Sequence, residues 1–357
     1  MTGRENAFAR SRQALRMKQE RQSRRSLVQL LCSVSLLRTG LTALTPQAGG
    51  AAWWTLLLCV IPAMAVFLLA ALAMRLTGTK TLTELARRRL GRGGVWLLCA
   101  VLGALLLLDA VGSLNALILL FTQGIGARGT QWTLALLTGG ALLPCLHKEG
   151  LSRSVLLLRW LLLAGVVIAL IAMGGRLRPD GFFPMLGSGW SGVKAALCAG
   201  AGMGWPLLML LSIPAEKGRC RAADAGPALL GAMGVLLFVC LIVPQERLAM
   251  INGTAACLLL PASGAVPAMR LLICCLMMLG LFLAVAAAVT LGAESLCVPL
   301  GGIRPWVMRS LLALVVGAQI LPAEFIRNAL NDLSPWLLLP PGVLLILCLF
   351  HARRLKE

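Results

Sequence analysis

The sequence predicts an all-α integral membrane protein of about ten transmembrane helices, and three observations carry that prediction. Hydrophobic residues make up 59% of the 357-residue chain and charged residues only 13%, far from the near-half apolar content of an average soluble domain. Apolar runs of about 20 residues, the length that crosses a hydrocarbon core of about 30 Å, recur along nearly the whole chain. Lysine and arginine concentrate in alternate connections between those runs, as the positive-inside rule requires.

Residues 1–26 are expected to be a basic cytoplasmic tail, with eight cations from Arg4 to Arg25. They lack the short apolar core and small-residue cleavage site of a secretory signal, so the first apolar run should stay in the protein. The runs span 27–46, 53–75, 95–124, 131–147, 154–174, 190–213, 227–244, 268–296, 305–322 and 333–350. They form one transmembrane domain over 27–350, followed by a cytoplasmic tail at 351–357.

The 47–52 turn carries no cation, whereas the 75–92 loop carries Arg75, Lys80, Arg87, Arg88, Arg89 and Arg92. Later inner connections hold Lys148 and Arg153, then Lys217, Arg219 and Arg221, then Arg304, and the end of the chain holds Arg353, Arg354 and Lys356. An even number of crossings with both termini in the cytoplasm fits this alternation. Within the 75–92 loop, Thr81-Leu-Thr-Glu84 has the spacing of a capping box, opening a short helix along the inner membrane surface with Gly91 as its stop.

The net charge of +20 comes from cations scattered between apolar runs, not from one folded basic face, which argues against a nucleic-acid partner and for membrane lipids. The 12 cysteines lie within apolar segments without CxxC spacing, and His147 and His351 are the only histidines. The cysteines read as buried free thiols, and no metal site or cofactor is expected. No nucleophile–base pair stands out either, so the chain is read as a non-enzyme.

A ligand site inside a membrane requires interrupted helices, because freed backbone groups persist there only when they line a cavity. Two apolar runs are broken in corresponding positions: Thr39-Gly40-Leu41-Thr42 through Pro46 in the first, and Gly200-Ala201-Gly202-Met203-Gly204-Trp205-Pro206 in the sixth. They divide the domain into repeat one (27–174) and repeat two (190–350), and five helices per half makes the second inverted. The same glycines also suit close helix packing. Two charges lie near the middle of their runs, Arg38 in the first and Asp109 in the third, at similar depth. An intramembrane charge costs roughly 2.5–3.5 kcal/mol, so they are expected to pair; a fold-fixing ion pair and a protonated aspartate are equally compatible. Ser113, Asn115, Thr290 and Glu294 are further polar candidates, while Arg159 and Lys194 can snorkel.

With these breaks located, the chain resembles the spore germination GerAB-type permeases of the amino acid-polyamine-organocation superfamily over roughly residues 28–350. The resemblance rests on Thr39-Gly40 through Pro46, Gly78-Thr-Lys-Thr-Leu-Thr-Glu84 with Leu90-Gly91, Lys148-Glu149-Gly150-Leu151, and Phe183-Pro184-Met185-Leu186 leading through Gly189 and Lys194 to the sixth-helix break. The chain departs from the family in lacking tyrosine, in its long basic tail and in carrying Arg38 and Asp109. The resemblance implies a leucine-transporter-type fold and a B-type subunit of a nutrient germinant receptor. It would sit in the inner membrane of a spore-forming bacterium, with A-type and lipoprotein C-type subunits as partners. It also implies a pocket for a small germinant such as an amino acid, lined by Thr39, Gly40 and Thr42 and by Gly200, Gly202, Gly204 and Trp205. A secondary amino-acid transporter shares that architecture, and a sporulation membrane scaffold without ligand binding is the third reading.

Overall fold

The computed structural model describes residues 25–37, 52–120, 139, 142, 148–173, 189–191, 193–194, 197, 204–213, 222–242, 267–300 and 303–317. Among these residues the regular structure is helical throughout. The elements are α1 (Arg25–Leu37), α2 (Ala52–Leu76), α3 (Leu82–Leu120), α4 (Lys148–Met173), α5 (Gly204–Met209) with a 3-10 turn at Leu210–Ser212, α6 (Ala222–Ile242), α7 (Pro267–Leu300) and α8 (Pro305–Gly317). Helical backbone occurs in every predicted span through 305–322, and 333–350 lies outside the described residues. Two stretches, Leu82–Ile118 and Cys274–Leu300, are long and apolar enough to cross a membrane.

The connection between α2 and α3 is built by local chemistry. Gly78 has φ 64°, its N–H donates to the Arg75 carbonyl at 3.3 Å, and the Thr79 N–H donates to the Met74 carbonyl at 3.0 Å. That is a Schellman close, in which a left-handed glycine satisfies the last carbonyls of a helix. Thr81 then caps α3, its Oγ1 accepting the Glu84 N–H at 3.2 Å. Glu84 Oε2 accepts the Lys80 N–H at 2.8 Å, one residue further back than a capping box reaches. Leu82, Leu85 and Ala86 are buried while Arg87, Arg88 and Arg92 are exposed.

Gly91 was expected to stop this helix, and here the structure differs. Its φ 69°, ψ −161° interrupt the helical geometry, but Arg92 onward returns to helix at once, so Gly91 makes an elbow rather than an end. That backbone region is essentially restricted to glycine.

The central contact is α3 against α7. The Trp96 Nε1–H donates to the Pro299 carbonyl at 3.1 Å. A Cβ on Gly103 would lie 2.6 Å from Leu296, and one on Gly292 would lie 3.5 Å from Leu106 Cβ. Numbers rise along α3 as they fall along α7, so the two helices are antiparallel. Gly165 beside Leu276 and Gly280 beside Leu162 set α4 antiparallel to α7 as well. These relative directions are the ones alternating loop charge requires of the third, fifth and eighth predicted helices.

Small residues make the approach close: Ala284, Ala286, Ala287, Ala288 and Ala293 of α7 are all fully buried. Without apolar solvation differences to drive helices together in lipid, such close van der Waals packing is what holds them. α8 packs on α7 and α3, and a Cβ on Gly139 would lie 3.7 Å from Gly317 Cα. On the other side, α2 carries α5 and α6.

Two predictions follow from this packing. Gly103→Leu should lower the stability of the purified full chain by about 1–3 kcal/mol through overpacking, read as a lower thermal midpoint in detergent, and Leu296→Ala in the same chain should restore part of it; an unchanged midpoint for Gly103→Leu contradicts the register. At the elbow, ahead of the span, the Lys80 N–H and then Arg88 hold the Glu84 carboxyl below its ordinary value of 4.5. A lowered folded-state value means that this cap contributes fully above pH 4.5 and loses its contribution as pH falls through the lower value. Protection factors of the 82–90 amides, with the intrinsic pH dependence of exchange divided out, should therefore fall on acidification below that point, and Glu84→Gln should remove that fall.

Candidate functional site

Midway along α3, Asp109 is fully buried. A carboxyl group there must be neutralised, paired or hydrogen-bonded, because desolvation of an isolated charge is costly. α1 supplies one such group: the Ser35 Oγ–H donates to Asp109 Oδ2 at 2.7 Å, and Ser35 is itself fully buried. The distance falls in the short range of hydroxyl–carboxylate bonds. Ser35 lies on α1 because the apolar residues Leu27, Val28, Leu31, Cys32 and Leu36 bury that helix face in the core.

Arg38, the expected partner of Asp109, lies outside the described residues. What the described residues show of this contact is the Ser35–Asp109 bond between α1 and α3.

One turn beyond Asp109, the buried Ser113 Oγ has no hydrogen-bond partner among the described residues. This is informative because the helical hydroxyls of Ser33, Ser154, Thr290, Ser295 and Ser310 all donate to the carbonyl four residues earlier. Ser113 has the same option and does not take it. An unsatisfied buried hydroxyl costs about 1–3 kcal/mol, and such groups mark places where a further partner belongs.

From α7, the buried Thr290 donates to the Ala286 carbonyl at 2.8 Å, which leaves its oxygen lone pairs available. The register fixed by Trp96–Pro299, Gly103–Leu296 and Leu106–Gly292 sets Thr290 at the depth of Asp109. Ser35 and Asp109 thus join α1 to α3 at a buried polar level, with Ser113 one turn further along α3 and Thr290 at a similar depth on α7. Chemically it suits a proton or an ammonium-bearing group better than an anion. Asn115 and Glu294 are half-buried and each has its own partners.

The expected pocket of backbone groups is described only at one edge. Thr39, Gly40 and Thr42 of the first break, and Gly200 and Gly202 of the sixth, lie outside the described residues. Gly204 and Trp205 open α5. Pro206 follows in the first turn, where a missing N–H costs nothing. α5 is short: after six residues it tightens into the 3-10 turn at Leu210–Ser212, whose Ser212 Oγ–H donates to the Met209 carbonyl at 2.6 Å, and Ile213 is extended.

Sequence reasoning named Asp109, Ser113 and Thr290 but missed Ser35. Its signal was available: Ser35 stands at the level at which α1 faces a buried acid, yet a serine in an apolar helix ordinarily bonds its own backbone. Among the described residues, no group of three or more His, Cys, Asp or Glu side chains gathers as a metal site would.

No family model matches the chain, and no curated protein matches it. Among solved structures, the chain is similar to the manganese transporter of Eremococcus coleocola, crystallised with an aromatic bis-isothiourea substituted compound, at 14% identity and a TM-score of 0.48, over 92% of this chain and 77% of that one. A likeness of that size does not establish a common fold.

If the Ser35–Asp109 bond stabilises the α1–α3 contact, Ser35→Ala should cost about 1.5–3 kcal/mol, the range for hydrogen bonds to charged groups. In an Asp109→Ala background the same substitution should cost much less. Equal losses in the two backgrounds, measured by thermal unfolding of the full chain, contradict the bond.

Proposed function

We propose that this chain is a permease-type protein embedded in the membrane by about ten helices, that it binds a small ammonium-bearing solute such as an amino acid at mid-membrane, and that it serves as the B-type subunit of a spore nutrient germinant receptor. The observation that carries the binding reading is Asp109, fully buried, bonded by Ser35 from a second helix and followed one turn later by the Ser113 hydroxyl, which has no partner among the described residues. Ionisable groups within apolar helices are expensive, and they persist where they serve a pathway or a ligand. Support for the membrane placement comes from the composition, the apolar length of α3 and α7, and the alternation of loop charge.

The receptor role rests on the resemblance of the broken first and sixth helices and the inner elbow to germination permeases. On this reading the protein lies in the inner membrane of a spore former with both termini cytoplasmic, does no chemistry on its ligand, and works with A-type and lipoprotein C-type subunits. The solute's ammonium group would face Asp109, while the half-helix ends near Gly40 and Gly202 would hold its carboxylate through backbone dipoles.

A secondary amino-acid transporter is the second reading, and the same buried carboxyl favours it, because a titratable acid at mid-membrane can couple solute movement to protons. Two assays separate the readings. Spores that lack the protein should fail to release dipicolinic acid in response to at least one nutrient, and Asp109→Asn should reproduce that defect; normal release with every nutrient contradicts the receptor role. Uptake of radiolabelled amino acid into vesicles containing this protein alone would instead identify a transporter.

A further inference from the structure

The α2–α3 elbow and the α7–α8 turn meet at one end of the helix pair, and their surface chemistry goes unused by the solute site. The Trp96 Nε1–H is spent on the Pro299 carbonyl, among the last carbonyls of α7, which have no acceptor role within the helix. That bond fixes Trp96 with 54% of its surface exposed. Trp306, on the first turn of α8, is 58% exposed. Arg92 precedes Trp96 by four residues and so stacks on the same helix face. Arg304 is exposed directly ahead of α8, its carbonyl accepting the Val307 and Met308 N–H groups at 3.0 and 3.2 Å.

The cations here divide into two kinds. Arg88 is occupied: its Nη1 donates to the Thr77 carbonyl at 3.2 Å and its Nη2 to Glu84 Oε1 at 2.9 Å. Arg87, Arg92 and Arg304 are exposed and have no acidic partner among the described residues. The one nearby acid on the elbow, Glu84, is already engaged by Arg88 and the Lys80 N–H. Exposed tryptophans with arginines just beyond them are the arrangement that suits a membrane–water boundary, where indole rings sit at headgroup depth and guanidinium groups bind phosphate in a fork.

We propose that the elbow and the α7–α8 turn together form a binding site for the headgroup of an anionic phospholipid, with Arg87, Arg92 and Arg304 holding its phosphate and Trp96 and Trp306 set against the upper acyl chains. Charge complementarity selects an anionic lipid over a zwitterionic one, because the three guanidinium groups pair with no carboxylate among the described residues. The Gly91 elbow breaks α3 between the turn that carries Arg87 and the segment that carries Arg92 and Trp96. The site rests on the membrane placement of the chain and not on the identity of its solute.

The test uses the full-length protein in detergent, titrated with phosphatidylglycerol and with phosphatidylcholine and read by native mass spectrometry. Wild type should retain phosphatidylglycerol more tightly, and Arg87→Gln with Arg92→Gln should weaken it by roughly tenfold or more, at about fivefold for each cation near an anionic surface. Arg87→Lys with Arg92→Lys should keep most of the preference, and Arg304→Gln should weaken it on its own. Unchanged phosphatidylglycerol binding in the glutamine variants, with helical content and thermal midpoint preserved, would overturn the proposal. So would complete displacement of the lipid by millimolar inorganic phosphate, which would identify a free-anion site. Carbonate extraction of the native membranes tests the membrane placement separately.

Discussion

The close antiparallel pairing of α3 with α7 is the contact on which α4 and α8 are arranged. Gly103 and Gly292 allow the two backbones to approach, and the alanine-rich stretch around Ala286 to Ala288 keeps the approach close along the helix. α4 and α8 then pack on α7, and α8 reaches α3 as well. In a chain surrounded by lipid, no difference in apolar solvation favours this arrangement, so shape has to do so. The energetic cost of misplacing a methyl group there is correspondingly direct.

That same pairing gives the polar centre its form. Asp109 and Ser113 lie on successive turns of α3, Thr290 is carried to their depth by α7, and α1 closes the level through Ser35. Thr290 alone is ordinary for a helix in an apolar setting, whereas a fully buried Asp109 and a buried Ser113 without a partner among the described residues are not. Ser35 bonds the one buried carboxyl directly, and the register of α3 against α7 brings Thr290 to its depth. Packing therefore sets the polar chemistry in this part of the molecule: a shift of one turn along α7 would move Thr290 away from the depth of Asp109.

Much of the helix layout was legible in the sequence because apolar length and loop charge are properties of single segments. The positions of α2, α4, α6 and α7 follow their apolar runs within a few residues, and the relative directions of α3, α4 and α7 follow from which connections carry arginine. Asp109 stood out for an equally local reason, a charge in the middle of a leucine run. Ser35 did not, since its significance depends on a neighbour 74 positions away. The pairing of Gly103 with Leu296 was invisible for the same reason. Gly91 shows the limit of a local rule: a glycine after a basic turn reads as a helix stop, but Gly93, Gly94 and Val95 resume the helix, and the residue serves as an elbow.

The measurement closest to the central claim is disulfide cross-linking in native membranes. A chain with its own cysteines replaced would carry new ones at Gly103 and Leu296, with Gly103 and Leu283 as the control pair. Antiparallel packing in the described register predicts rapid cross-linking of Gly103→Cys with Leu296→Cys and none for the control. Cross-linking of the control pair, or of neither pair, would contradict the arrangement on which the polar centre depends.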